Sequence, residues 1–75
     1  MRITLDQEAD AIYIELQTGA FVTNRGVAEG VILDIGEDDV VLGIEILEAS
    51  TRLDPEDVTR LEVLMPAERA ALAPA

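Results

Sequence analysis

Cysteine, histidine and lysine are all absent from the chain; tryptophan is missing too, and Tyr13 and Phe21 are the only aromatic residues. Without cysteine there is no disulfide framework and no thiolate metal site. Without histidine, the commonest zinc ligand and the usual general base near neutral pH are gone. Ser50 is the sole serine, and with neither His nor Lys to take its proton it lacks the partner a nucleophile needs. It belongs instead to the end of the last strand, beside the "EAST" bend. Aliphatic runs are short, as at Val40–Val41–Leu42, so nothing reaches the length of a membrane-spanning segment. Residues 1–20 have neither the basic start nor the apolar stretch of a signal peptide, and a cytoplasmic location is the expectation. The glycines at 19, 26, 30, 36 and 43 match neither a phosphate loop nor a dinucleotide fingerprint.

What the chain does have is acid and aliphatic bulk. Sixteen acidic residues against five basic ones give a net charge of −11, which argues against binding nucleic acid, whose phosphates need a basic footprint. Residues 31–50 hold Asp34, Glu37, Asp38, Asp39, Glu45 and Glu48 and no base at all. Such a patch can steer a basic partner, although charge also simply keeps a small apolar protein soluble. With 49% hydrophobic residues the chain is no disordered acidic tail. Its 75 residues make one domain, 1–75. A domain of that size buries only about 60% of the surface its unfolded chain exposes. Lacking disulfides and a zinc site, it has oligomerisation as the remaining route to more buried surface.

Alternation marks the strands. In residues 2–5, Ile3 and Leu5 point one way, Arg2 and Thr4 the other. In "AIYIEL", Ile12, Ile14 and Leu16 oppose Ala11, Tyr13 and Glu15. Such period-2 segments read as half-buried strands joined by a short turn at 6–10. Residues 17–30 carry three glycines and no sustained period, leaving room for a short edge strand around Phe21–Thr23 or none. In "GVILDIGEDDVVLGIEIL", two aliphatic arms flank the turn-prone "GEDD" and predict a second hairpin. Val31, Leu33 and Ile35 share one face of the first arm; Leu42, Ile44 and Ile46 share one face of the second. Asp54, Pro55, Glu56 and Asp57 form a helix start, and Val58, Leu61 and Met65 fall on one helical face. A competing reading ends this helix near Arg60 and makes "LEVLM" a further strand.

The expected fold is therefore α+β. A small antiparallel β-meander of about four strands, two consecutive hairpins over 1–50, carries a C-terminal helix, 54–65, packed on one face. Residues 66–75 form a short helical turn or a frayed tail. The other sheet face would still carry Ala11, Tyr13, Ile32, Val41 and Leu47, too much apolar surface for water, so a homodimer or higher oligomer built through the sheet is expected.

Asp6, Glu8 and Asp10 imitate the first ligands of an EF-hand loop, but that loop needs Gly at its sixth position and Glu at its twelfth. Here those places hold Ala11 and Gln17. A looser oxygen-ligand site using Glu8, Asp10 and Asp34 is the remaining metal candidate. In the alternative, Asp6 caps the turn and the other acids stay solvated. Paired carboxylates can do acid–base work when their surroundings split their pKa values, but so thin a domain has little depth for that. No enzymatic activity and no cofactor are expected.

"ITLDQEADAIYIEL" and "GVILDIGEDDVVLGIEILEAS" resemble the two signature segments of a small bacterial and archaeal family known as domain of unknown function 2283. The likeness covers residues 3–16 and 30–50. Leu5 stands where the family often has an aromatic residue, and Asp39 where the turn often has Gly. The resemblance implies a small β-meander with a helical element and no established activity; some such families sit beside small toxin-like genes. Among the matching positions, Ile12, Ile14, Leu33, Ile44 and Ile46 suit a core. Glu8, Asp10, Tyr13, Asp34 and Glu45 are polar beyond what burial requires. They either bond to turn backbone and arginines such as Arg2 or Arg52, or form a shared interaction surface. The leading expectation is a non-enzymatic acidic protein-interaction module, dimeric, with an antitoxin-like role against a basic protein. The alternative is a small-molecule or divalent-cation-binding domain using the turn carboxylates.

Overall fold

The computed structural model describes residues 1–66, so the expected tail beyond Pro66 lies outside the described residues. Five strands are present: β1 (Arg2–Asp6), β2 (Ala11–Glu15), β3 (Phe21–Ala28), β4 (Val31–Gly36) and β5 (Val41–Leu47). Two single-turn helices follow, α1 (Ala49–Arg52) and α2 (Pro55–Val58). All strand pairings are antiparallel, in the order β1-β2-β5-β4-β3.

The fold is mainly antiparallel β with some helix, as expected, but three details differ. First, there are five strands rather than about four. β3 is a full eight-residue strand, exposed throughout, with register shifts at Phe21/Thr23 and Gly26/Ala28. Those shifts break the alternation by which a strand is recognised. Second, the two hairpins are not laid down in series. β2 pairs with β5 rather than β4, because that register sets Ile12 opposite Ile46 and Ile14 opposite Ile44. Residues 16–20 carry the chain past the starts and ends of β5 and β4 to reach β3. Three strand spacings are about 14 Å, within the reach of roughly 17 Å that five extended residues have. Leu16 and Gln17 donate their backbone N–H groups to Leu42 O at 2.8 and 3.3 Å on the way.

Third, the long helix is absent. Asp54 caps α2 as expected, its Oδ1 accepting from Glu56 N–H at 2.9 Å with Pro55 behind it. The helix nevertheless ends at Val58, and Thr59 has left the helical region (φ −101°, ψ 12°). An isolated helix shorter than about 12 residues depends on burial of its apolar face. Here Leu61 and Met65, the intended face, stand 70% and 74% exposed. Residues 60–66 form neither helix nor strand, so the alternative strand at "LEVLM" is not found either.

Pairing lines up residues in rows across the sheet. Leu5, Ile12, Ile46 and Val31 make one row; Ile3, Ile14, Ile44 and Leu33 make the next. This is the apolar face. Arg2, Glu15, Gly43 and Asp34, with Thr4, Tyr13, Glu45 and Ile32, make the rows of the opposite, acidic face. Between Asp34 and Ile35 the register skips Leu42. The extra residue reverses the expected sides at the start of β5. Val41 now falls opposite Ile35, and Leu42 turns to the side of Gly36, where an added Cβ would lie 3.1 Å from its Cδ1. Leu42 is consequently buried under the 16–20 crossing. Among the described residues the buried apolar ones are few: Ile12, Ile35, Leu42 and Ala49.

Candidate functional site

The polar residues singled out in the sequence divide between two places. The β1–β2 turn is tied by Asp6, whose Oδ1 accepts from Ala9 N–H at 3.0 Å. Asp10 ends this turn with a left-handed backbone, φ 54°. Its carbonyl accepts from Ala49 N–H at 2.9 Å, and its carboxylate takes both Ser50 N–H (3.0 Å) and the Ser50 hydroxyl (2.7 Å). Asp10 thus closes the free N-terminal end of α1 from forty residues away. Capping by a carboxylate satisfies donors that a one-turn helix leaves open, and the lone serine adds its hydroxyl as a second donor to the same carboxylate. Glu8 is exposed beside this turn.

The second place is the acidic face. Tyr13 leans diagonally across the sheet and donates its hydroxyl to Asp34 Oδ2 at 2.9 Å. It passes over Gly43, where an added Cβ would sit 2.6 Å from Tyr13 Cζ. Any larger residue at 43 would displace the ring. Tyr13 pairs directly with Glu45 across β2 and β5. The bond to Asp34 raises the phenol pKa above its ordinary 10.0, with desolvation and the nearby carboxylates adding in the same direction. Beside the pair an open depression of about 230 Å³ is lined by Tyr13, Glu15, Gln17, Phe21, Asp34 and Leu42, among others. Of the five proposed surface residues, Tyr13, Asp34 and Glu45 therefore come together; Glu8 and Asp10 lie at the far end.

Asp10 and Asp34 are separated by about five residues along the strands and two strands across, roughly 15–20 Å. Glu8, Asp10 and Asp34 do not converge, and among the described residues no group of three or more acids stands ready to hold a metal ion. Arg2 meets Glu15 at 3.8 Å. Arg52 reaches Glu29 (3.8 Å) and Glu48 (3.6 Å) and donates from Nε to Leu47 O at 2.9 Å. Neither of these two arginines meets Glu45, so the arginine pairing is not the role this structure gives it; Arg52 is held over Gly30, whose φ of 74° places it in a turn that favours glycine.

A family model described as "Protein of unknown function (DUF2283)" matches residues 2–50. The chain belongs to that family. The matched segment runs through all five strands and stops at Ser50, the residue clasped by Asp10, so the clasp and the Tyr13–Gly43–Asp34 set all lie within the family unit. A Methanosarcina mazei protein provisionally named a hypoxanthine phosphoribosyltransferase is 53% identical over 36 residues, 45% of this chain and 29% of the relative. The chain thus spans less than a third of that protein's length. No solved structure matches. No helix among the described residues is long and apolar enough to cross a membrane.

Proposed function

We propose that this DUF2283 chain is a non-enzymatic, cytoplasmic interaction module whose acidic face receives a basic protein, in the manner of an antitoxin masking its toxin. The observation that carries the reading is the placement of charge. The strand acids Asp6, Glu15, Asp34 and Glu45 all fall on the side of Tyr13, opposite the aliphatic rows. One flat face combines carboxylates, a tyrosine and a shallow depression, a composition suited to steering and holding a cationic surface. The name of the M. mazei relative is left with that protein, since the shared segment is 29% of it.

The test is affinity capture from the native host with wild-type bait and with Glu15→Gln/Glu45→Gln, which leaves the Tyr13–Asp34 bond untouched. The expected result is a small basic protein retained at low salt by the wild type, released as salt rises, and at least tenfold depleted on the variant. Equal capture by both baits, or an acidic partner, would count against the acidic face.

A further inference from the structure

The apolar face is the reverse of the acidic one in charge as well as hydropathy. Its strand positions carry a single charged residue, Arg25, which is held by Asp39 at 3.5 Å. Ile12 and Ile35 are buried within it, but the short helices leave the rest of it open. Ile3 and Leu5 are 44% and 38% exposed, and Ile14, Leu33, Ile44 and Ile46 remain partly open. Next to this sheet face, an open groove of about 410 Å³ is lined by Ile3, Ile14 and Ile46 from the sheet and by Leu53, Val58 and Leu61 from the segment after it, with Asp57 and Arg60 as its charged members. Beyond the groove, Val63, Leu64 and Met65 stand 76%, 80% and 74% exposed. Exposed apolar surface of this extent marks an interface.

We infer that this face is covered by a second copy of the same chain, with residues 61–65 of each copy closing over the edge of the other's sheet. Two features of the molecule select that occupant. One is charge: copies each carrying −11 repel wherever their acids meet, and the apolar face is the side on which the strands present none. The other is area. Five strands about 4.8 Å apart and some 17 Å long offer a footprint of at most about 400 Å², roughly half of the 800 Å² per partner that a stable interface buries. The four exposed apolar side chains at 61 and 63–65, at roughly 60–120 Å² each, bring the total close to that figure. Two such faces stack at the ordinary sheet-to-sheet distance of about 10 Å, and a two-fold axis makes the contact self-complementary. The pairing extends the module reading, since it leaves both acidic faces outward for a basic partner.

Sedimentation equilibrium on the full chain tests this with two variants. Val63→Asp/Leu64→Asp alters residues that the single chain leaves in water, so folding is preserved; Leu33→Glu puts a charge in the middle of the apolar rows. The expected result is a wild-type dimer at micromolar concentration that tightens as salt rises, and a dissociation constant at least tenfold weaker in the first variant. Circular dichroism confirms the sheet. A wild-type monomer at 100 µM across all salt concentrations would overturn the inference. So would a dimer unchanged in Val63→Asp/Leu64→Asp, or one persisting in a folded Leu33→Glu. The Glu15→Gln/Glu45→Gln variant should dimerise normally, so loss of the partner and loss of the dimer are read separately.

Discussion

The hydroxyl of Tyr13 donates to an anion, and that determines what removing its proton does. Deprotonation would set a phenolate against the Asp34 carboxylate, so the folded chain holds the proton more tightly than the unfolded one and the phenol pKa lies above 10.0. The stabilisation is complete below the unfolded value of about 10 and is lost as pH rises through the folded value. Since Tyr13 is the sole tyrosine and there is no tryptophan, its ultraviolet titration can be followed without overlap. The midpoint is expected above that of the urea-unfolded chain, and the wild type should lose stability in alkali where Tyr13→Phe does not. Coincident midpoints would dismiss the bond as a stabilising contact. That Tyr13 and Asp34 belong together could not be read from their spacing, because they meet only through β5, whose placement between β2 and β4 the order of segments does not reveal. Gly43 was the available clue: a glycine inside an otherwise aliphatic strand signals a close approach.

At the level of elements, the Asp10–Ser50 clasp joins the first turn to the first helix. Ser50→Ala removes the 2.7 Å bond and is expected to cost about 1 kcal/mol in urea denaturation, below the roughly 1.5–3 kcal/mol of bonds to charged groups because the site is solvent-facing. Asp10→Asn, which tolerates the left-handed backbone and keeps one acceptor, should cost less than Asp10→Ala, which loses both. Asp10→Asn and Ser50→Ala both as stable as the wild type, with only Asp10→Ala destabilised, would show that the clasp contributes nothing beyond backbone shape. Strands β1, β2, β4 and β5, the turn at 6–10 and the helix cap at Asp54 were legible in alternation and capping chemistry. So was the shared face of Ile12, Ile14, Leu33, Ile44 and Ile46, although only Ile12 of these is buried. β3 was not, because its bulges erase the period. The long helix does not form, because the 58–61–65 spacing describes a face without saying whether anything lies against it. The bulge at Leu42 was equally invisible, since a one-residue slip exchanges faces without altering composition.

For the whole molecule, sixteen acids and five bases on a thin fold with four buried apolar residues among those described leave self-repulsion opposing a small core. Salt should therefore stabilise. Raising NaCl from 0.05 to 0.5 M shortens the screening length to a few ångströms and is expected to raise the melting temperature by several degrees, on the order of 1 kcal/mol for a domain this size. Scanning at two protein concentrations separates repulsion within a chain from repulsion between copies. A flat or falling melting temperature would mean that the scattered ion pairs of Arg2, Arg25, Arg52 and Arg60 outweigh the excess acid.

β5 is the last strand made and the middle strand of the sheet. Its position has a kinetic consequence. Until residue 47 exists, the chain can form only detached hairpins, and a two-stranded hairpin in water is marginal. The pairing of Ile12 with Ile46 closes a long loop before any reward is collected, which slows folding relative to proteins built from local contacts. A chain halted before β5 leaves β2 and β4 each with an open edge of unpaired amides, the kind of edge that recruits strands from other molecules. Assembly of the sheet and avoidance of aggregation thus depend on one late event, the insertion of residues 41–47 between two waiting edges.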